Sequence, residues 1–86
     1  MSVTAELETF IVDEIALGRG VRTIAADEDL LARGLIDSLG VSQLVAFLED
    51  RFGVHVADED LTPDNFQSLV RMEAFVARKR ATAAAP

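Results

Sequence analysis

The stretch SLGVSQLVAFLEDRF, residues 38–52, decides the fold because its apolar residues recur at a helical period. These residues form one apolar stripe, in which successive members lie one, three or four residues apart, and Phe47 widens it. That stripe consists of Val41, Leu44, Val45, Leu48 and Phe52. The spacing predicts an amphipathic helix over 38–52, with Asp37 as its N-cap and Gly53 as its stop.

Two segments precede this helix. A first helix is predicted over residues 4–17, where apolar residues recur at helical spacing, with Thr4 as N-cap and Gly18 as stop. Residues 20–37 keep no long period, and we interpret them as a long, partly ordered loop with a short helical turn at about 27–33. A loop of this length in a small domain is more often functional than idle.

Two further helices are predicted after it. Thr62 can cap a one-turn helix over about 63–66, because proline is favoured at the first helical position. Ser68 can cap a last helix that ends near Arg80. No alternating strand pattern and no internal repeat is present in the sequence. The predicted fold is therefore all-α, a four-helix bundle with a long first loop and a short third helix.

Composition sets the size and class of the domain. The 86 residues are 50% hydrophobic, which allows one modest core, so we expect one domain over 1–80 and a flexible tail over 81–86. The absence of Cys excludes a disulfide framework and a zinc site built on sulfur, and it favours a cytoplasmic protein. No apolar run approaches the ~20 residues of a membrane span.

The net charge of −7 restricts the class of partner. Acidic residues are bunched at 27–29 and at 58–60, and such a surface repels the phosphate backbone of nucleic acids. We therefore expect no nucleic-acid partner, and basic proteins are favoured instead. An acidic surface that only keeps a small protein soluble accounts for the charge equally well.

Few side chains here could take part in chemistry. His55, the one histidine, is far in sequence from Ser38 and has no matching orienting group, so a catalytic triad is not expected. We predict no catalytic residue and no metal site. If Asp37 caps the helix, the Ser38 hydroxyl projects from its first turn, where a phosphodiester would meet free N–H groups and the positive end of the helix dipole. Taken alone, the Asp-Ser pair favours ordinary capping over modification, because this chemistry is common at helix starts.

The run Asp37-Ser38-Leu39, after a loop with Gly34 and before the amphipathic helix, resembles the motif of the acyl and peptidyl carrier proteins. The resemblance covers roughly residues 5–80 and implies the acyl-carrier fold. In that family a serine receives 4′-phosphopantetheine from coenzyme A, and the thiol of this arm carries an acyl or aminoacyl thioester. The resemblance implies that Ser38 is the attachment site, that Asp37 helps a phosphopantetheinyl transferase orient its metal and cofactor, and that the carrier is not an enzyme.

Two departures separate this sequence from many fatty-acid and polyketide carriers. Those carriers place glycine three residues before the serine, whereas Leu35 holds that position here and Gly34 precedes it. This arrangement looks more like freestanding D-alanyl, aminoacyl or peptidyl carriers. The outer face of the second helix is also less acidic. We expect the partner-docking surface to consist of Leu39, Val41, Ser42 and Ala46, with charge added by Glu49 and Asp50.

The resulting hypothesis is a freestanding, monomeric carrier that is phosphopantetheinylated on Ser38. It would shuttle an aminoacyl or small acyl thioester between an adenylating ligase and downstream acyl- or aminoacyl-transferring enzymes, in a natural-product or cell-envelope pathway. The first alternative is a fatty-acid or polyketide carrier. The second is an unmodified helical adaptor whose second helix binds a groove.

Overall fold

The computed structural model describes residues 2–16 and 18–84, with side chains through residue 81. These residues form helices and connecting turns, and no strand occurs among them. The α-helices are α1 (Val3–Phe10), α2 (Ser38–Phe52), α3 (Pro63–Phe66) and α4 (Leu69–Ala84). The prediction of an all-α, four-helix fold with a long first loop and a short third helix is confirmed. No helix in this part of the chain is both long and apolar enough to cross a membrane.

The first helix begins earlier than predicted. Ser2, and not Thr4, is its N-cap, since the Ser2 side chain accepts a hydrogen bond from the Ala5 backbone N–H at 3.1 Å. Serine and threonine both cap helices well, so residue type alone does not favour Thr4 over Ser2. The prediction of Thr4 as the cap is wrong.

The first helix also changes its winding before it ends. After α1 the chain continues as a π-helical turn, Ile11–Ile15, in which the Ala16 N–H donates to the Ile11 carbonyl at 2.7 Å. The sequence predicted one uniform α-helix to residue 17. Leu17 itself lies outside the described residues, and Gly18 beyond it has a φ of 85°. Glycine adopts this left-handed conformation without steric cost, which agrees with its predicted role of ending the helix.

One apolar core holds the helices together. The stripe predicted for the second helix points into it, and so do an apolar stripe of α4 and residues of the first helix and of α3. Its most deeply buried large side chains are Leu7, Ile11, Leu30, Leu44, Leu48, Phe66, Leu69, Met72, Phe75 and Val76. Burying one side chain of this size stabilises the fold by roughly 1.5–3 kcal/mol, so these stripes account for how the helices associate.

The long first loop is irregular, as predicted, but it is fixed to the helices by backbone groups. The Leu30 N–H donates to the Gln67 carbonyl at 2.8 Å, and the Val70 N–H donates to the Ala26 carbonyl at 3.0 Å. These two bonds join the loop to the junction of α3 and α4. Because Leu30 is also fully buried, the middle of the loop has a defined position.

The helical turn predicted at 27–33 forms a set of turns over 30–34 and no helix. Asp29 organises it by accepting from the Ala32 N–H at 2.8 Å and from the Gln67 side-chain amide at 2.9 Å. The Ala32 bond first and the Gln67 bond second hold the pKa of Asp29 below its ordinary value of 3.8. The carboxylate therefore supports the loop in its ionised form.

A short 3₁₀ turn, Asp58–Asp60, lies between α2 and α3. Asp60 accepts from the Ala57 N–H at 2.9 Å and pairs with Lys79 of α4 at 2.5 Å. The Lys79 bond, followed by the Ala57 bond, lowers the pKa of Asp60. Asp60 thus links the segment between α2 and α3 to α4.

The last two helices begin where the sequence predicted. Thr62 occupies the N-cap position of α3 but makes no side-chain cap bond; its carbonyl accepts from the Asn65 N–H at 3.1 Å. Ser68 caps α4 through a bond from the Arg71 N–H to its Oγ at 3.3 Å.

The predicted end of the last helix near Arg80 is wrong, because α4 continues to Ala84. The added residues include alanines, which have the highest helix propensity. Flexibility over 81–86 stays a prediction, and residues 85–86 lie outside the described part of the chain.

Candidate functional site

Helix α2 begins at Ser38 and is capped by Asp37, as predicted. The Asp37 Oδ1 atom accepts from the Gly40 N–H at 2.9 Å, and the Asp37 carbonyl accepts from the Val41 N–H at 2.8 Å. A carboxylate here satisfies a free helix donor and places negative charge at the positive end of the helix dipole. Because Asp37 caps the helix, Ser38 has no capping role.

The Ser38 side chain is exposed, and its Oγ makes no hydrogen bond with any described residue. The N–H groups of Ser38 and Leu39 precede the first possible α-helical bonds, and within residues 2–16 and 18–84 they donate to no other group. A free hydroxyl and two free backbone donors therefore lie together at the start of α2. No base among the described residues forms a hydrogen bond with the hydroxyl, so these residues leave it accessible but do not activate it as a nucleophile.

A surface hollow of about 280 Å³ opens beside Ser38. It lies between the start of α2, the end of the long loop and the region of α3. It is lined by Leu31, Ile36, Asp37, Ser38, Val41, Leu61, Thr62, Pro63 and Phe66. Leu61 is 47% exposed, and the sequence prediction did not include it. Its position between an acidic cluster and Thr62-Pro63, outside any helical stripe, is the signal that could have identified it.

Gly40 allows the first helical segment to approach the start of α2. A Cβ at Gly40 would lie 3.3 Å from the Cγ2 atoms of both Ile15 and Ile36. Ile15 is the last residue of the π-helical turn, which therefore packs directly under the turn that carries Ser38. This contact was not predicted from the sequence, although a glycine in the first turn of an apolar helix is its signal.

The loop before the site is held by Arg19. Its Nη1 donates to the Gly34 carbonyl at 2.6 Å. Gly34 has a φ of 71°, a left-handed conformation that favours glycine. The position of this glycine, four residues before Ser38, thus reflects a backbone requirement of the turn that leads into α2.

The predicted docking residues lie mainly on the outer face of α2. Leu39, Ser42, Ala46 and Asp50 are exposed, and Leu39 is 69% exposed. Val41 is half-buried and lines the hollow beside Ser38.

Glu49, another of the predicted docking residues, also has a structural role. Its Oε2 accepts from the Val56 N–H at 2.9 Å and lies 3.5 Å from Nδ1 of His55. The carboxylate holds the connector after α2, which the sequence prediction did not foresee. His55 is 85% exposed, and among the described residues no group of three or more His, Asp or Glu side chains could hold a metal ion.

The fold and the site agree with comparisons to known proteins. Residues 15–76 match the family model described as a phosphopantetheine attachment site. The solved structure of KstB-PCP in its apo form is 36% identical, with a TM-score of 0.72, and the match covers 95% of this chain and 88% of that one. No curated protein matches.

Carriers of this family hold 4′-phosphopantetheine covalently on a serine, act together with phosphopantetheinyl transferases and catalytic partners, and are not themselves enzymes. The family model spans most of the chain, and the structural match extends over nearly all of it. The chain belongs to the phosphopantetheine-binding carrier protein family.

Proposed function

We propose that Ser38 carries the 4′-phosphopantetheine arm and that the protein shuttles an aminoacyl or small acyl thioester. The thioester would pass from an adenylating ligase to downstream acyl- or aminoacyl-transferring enzymes. The observation that carries the proposal is the exposed Ser38 hydroxyl at the first position of α2, which is free because Asp37 caps the helix.

The loading reaction requires an accessible serine and an outside catalyst. The Ser38 Oγ attacks the coenzyme A phosphorus that bears pantetheine and forms a phosphodiester. The P–O bond of the pyrophosphate linkage breaks, and adenosine 3′,5′-bisphosphate leaves. The transferase must supply the base that takes the hydroxyl proton, because no base among the described residues forms a hydrogen bond with the Ser38 hydroxyl. Asp37 uses Oδ1 for the cap, and Oδ2 accepts no hydrogen bond from a described residue, so we assign it the role of orienting the transferase's metal.

The start of α2 also suits the product of that reaction. The free N–H groups of Ser38 and Leu39 and the positive end of the dipole favour a phosphodiester there. The attached arm supplies a thiol that bears the cargo as a thioester. The chain contains no Cys, so no thiolate of its own can take the cargo by exchange.

Three observations support a small or aminoacyl cargo. The hollow beside Ser38, at about 280 Å³, is slightly smaller than the ~300–1,000 Å³ of common ligand pockets. The exposed face of α2 is only weakly acidic near Ser38, with Leu39, Ser42 and Ala46 on it. KstB-PCP, at 36% identity, is named as a peptidyl carrier. A fatty-acid or polyketide cargo remains the alternative.

Incubation with coenzyme A, magnesium and a broad-specificity phosphopantetheinyl transferase tests the site. Intact mass should increase by one phosphopantetheinyl group. Ser38→Ala should abolish the gain, whereas Ser42→Ala, an exposed serine one turn along the same helix, should keep it. An unchanged mass of the native protein would favour the unmodified adaptor, and a gain in Ser38→Ala would place the arm elsewhere.

A second assay tests the cargo. The loaded protein is offered to amino-acid ligases and to fatty-acid ligases, and acyl transfer to the arm is followed by mass. We expect preferential charging with amino acids or short acyl groups. Preferential charging with long fatty acids would support the alternative.

The predicted docking surface and location belong to the same proposal. Ligases and transferring enzymes would contact Leu39, Val41, Ser42 and Ala46, with Asp50 and part of Glu49 adding charge. The cysteine-free sequence supports a reducing compartment such as the cytoplasm.

A further inference from the structure

A second surface feature lies along the first helix and α2, apart from the hollow beside Ser38. Two hollows of about 380 and 440 Å³ meet there, and Phe10, Glu14 and Phe47 line both. The rings of Phe10 and Phe47 stack with centroids 4.2 Å apart and planes 16° apart. We call this surface the aromatic groove and define it by Phe10, Phe47 and the acids Asp13, Glu14 and Asp50.

The acids of the aromatic groove have no partner within the described residues. Asp13, Glu14 and Asp50 are exposed and take part in no hydrogen bond or ion pair there. The cation of the groove, Arg51, is already paired with Glu6 at 2.5 Å. The groove therefore keeps a negative charge that nothing in this part of the molecule balances.

These acids also lie at unfavourable positions for their own helices. Asp13 and Glu14 lie in the π-helical turn that ends the helical segment begun by α1, and Asp50 lies in the last turn of α2. Negative charge at a helix C-terminus opposes the helix dipole. The acids therefore do not stabilise the helices that bear them, and their common position beside stacked rings points to an outside ligand.

We propose that the aromatic groove docks an arginine-bearing basic surface of a partner protein. The methylene stem and the planar guanidinium of arginine pack against aromatic faces, and its fixed donors suit carboxylates. Ala46 and Asp50 line the groove and also belong to the predicted docking surface of α2. The partner surface would thus extend from α2 across Phe47 to Phe10. The inference deepens the proposed carrier function by giving the chemistry of the partner, but docking does not require a loaded Ser38.

The test uses the unloaded full chain and an acetylated Leu-Arg-Leu-Arg amide as the probe. Amide chemical shifts should move around Phe10, Asp13, Glu14, Phe47 and Asp50. The matching Leu-Lys-Leu-Lys peptide should bind more weakly, since lysine lacks the planar group. Shifts confined to the acidic clusters at 27–29 or 58–60, or no binding at all, would overturn the proposal.

Matched variants separate the groove from general charge attraction. Asp50→Asn should weaken binding about two- to fivefold, as expected for one exposed ion pair. Phe47→Leu should weaken it by a similar factor through loss of the ring face. Glu59→Gln changes the net charge equally on an exposed turn outside the groove and should leave the dissociation constant unchanged. An equal effect of Glu59→Gln would overturn the proposal.

Two controls keep the result decisive. Thermal unfolding checks each variant, and if Phe47→Leu does not fold, Glu14→Gln replaces it because Glu14 is exposed.

Shifts at the groove that change with dilution of the protein alone would assign the groove to a second copy of this chain and overturn the choice of partner. A protein that loads on Ser38 but does not bind the peptide refutes only the groove, and the reverse result refutes only the carrier proposal.

Discussion

Ser38 and Ser68 both lie at the start of a helix, yet their hydroxyls have opposite environments. Ser68 is 4% exposed and caps α4 by accepting from the Arg71 N–H at 3.3 Å. Ser38 is exposed, and Asp37 makes the equivalent bond for α2. A shift of one residue relative to the helix start therefore decides whether a serine hydroxyl supports the fold or remains available for modification.

The surroundings of the two serines differ in the same sense. Beside Ser68, the Gln67 carbonyl accepts from the Leu30 N–H and the Gln67 side-chain amide donates to Asp29. These bonds connect the start of α4 to the long loop. Beside Ser38 lies an open hollow, and the neighbouring Leu39 side chain is 69% exposed. The comparison predicts that substitutions near Ser68 affect stability, whereas those at Ser38 affect loading.

The largest expected difference in stability is between Ser68→Ala and Ser38→Ala. Loss of the N-cap should lower the free energy of unfolding of Ser68→Ala by about 1 kcal/mol, within the ~0.5–2 kcal/mol observed for such caps. Ser38→Ala removes no described hydrogen bond and should stay within ~0.5 kcal/mol of the native protein. Urea denaturation followed by circular dichroism measures both. Equal losses of unfolding free energy in the two variants would contradict the different roles assigned to the two hydroxyls.

Asp37 should separate capping from loading. Asp37→Ala should cost about 1 kcal/mol of unfolding free energy because the Gly40 N–H loses its acceptor. Asp37→Asn keeps a capping oxygen and should retain most of the stability, but it should load more slowly if the carboxylate orients the transferase's metal. Initial rates of mass gain measure this, with Asp64→Asn, an exposed acid on α3, as the control. Equal loading rates for Asp37→Asn and native protein would contradict a role for the charge.

Gly40→Ala should have a smaller effect on stability. Alanine gains up to ~1 kcal/mol in helix propensity over glycine, but its Cβ would lie 3.3 Å from methyl groups of Ile15 and Ile36. The two effects oppose each other, so the net change should be below ~1 kcal/mol. Loading should slow if Ile15 displaces the turn that carries Ser38. Ser42→Ala is the control, and unchanged loading would show that the close contact does not position this turn.

The smallest expected effect is on the acid dependence of stability, through Asp29, which accepts a hydrogen bond from Gln67 beside Ser68. The pKa of Asp29 is lowered by its bonds from Ala32 and Gln67, so the stability it contributes is present above about 3.8 and is lost as pH falls through the lower folded value. Asp29→Asn should reduce the loss of stability in this acid range. Unfolding midpoints of both proteins between neutral pH and the acid range measure it, and parallel curves would contradict the assignment.

The sequence predicted the parts of the fold that local chemistry determines. The stripe of α2, its Asp37 cap and its Gly53 stop needed only spacing and capping rules, and all three are confirmed. The same holds for Pro63 at the start of α3 and for Ser68 before α4. The position of Ser38 in the first turn of α2 followed from where the helix begins, whereas its selection as the candidate site rested on the resemblance to carrier proteins.

Contacts between distant segments could not be predicted from the sequence. The π-helical turn, Ile11–Ile15, packs against Gly40, and such a change of winding is not encoded in apolar periodicity. Glu49 looked like a docking charge because its partner, the Val56 N–H, lies beyond the helix end. The stacking of Phe10 on Phe47 joins two helices and is equally invisible in the separate stripes.

Locating the modified residue tests the central claim most directly. The native protein is loaded with coenzyme A by a phosphopantetheinyl transferase and digested, and its fragments are sequenced by tandem mass spectrometry. The phosphopantetheinyl group should be found on Ser38 and on neither Ser42 nor Ser68. Its presence on another residue, or its absence from all fragments of a fully treated sample, would contradict the assignment of Ser38 as the attachment site.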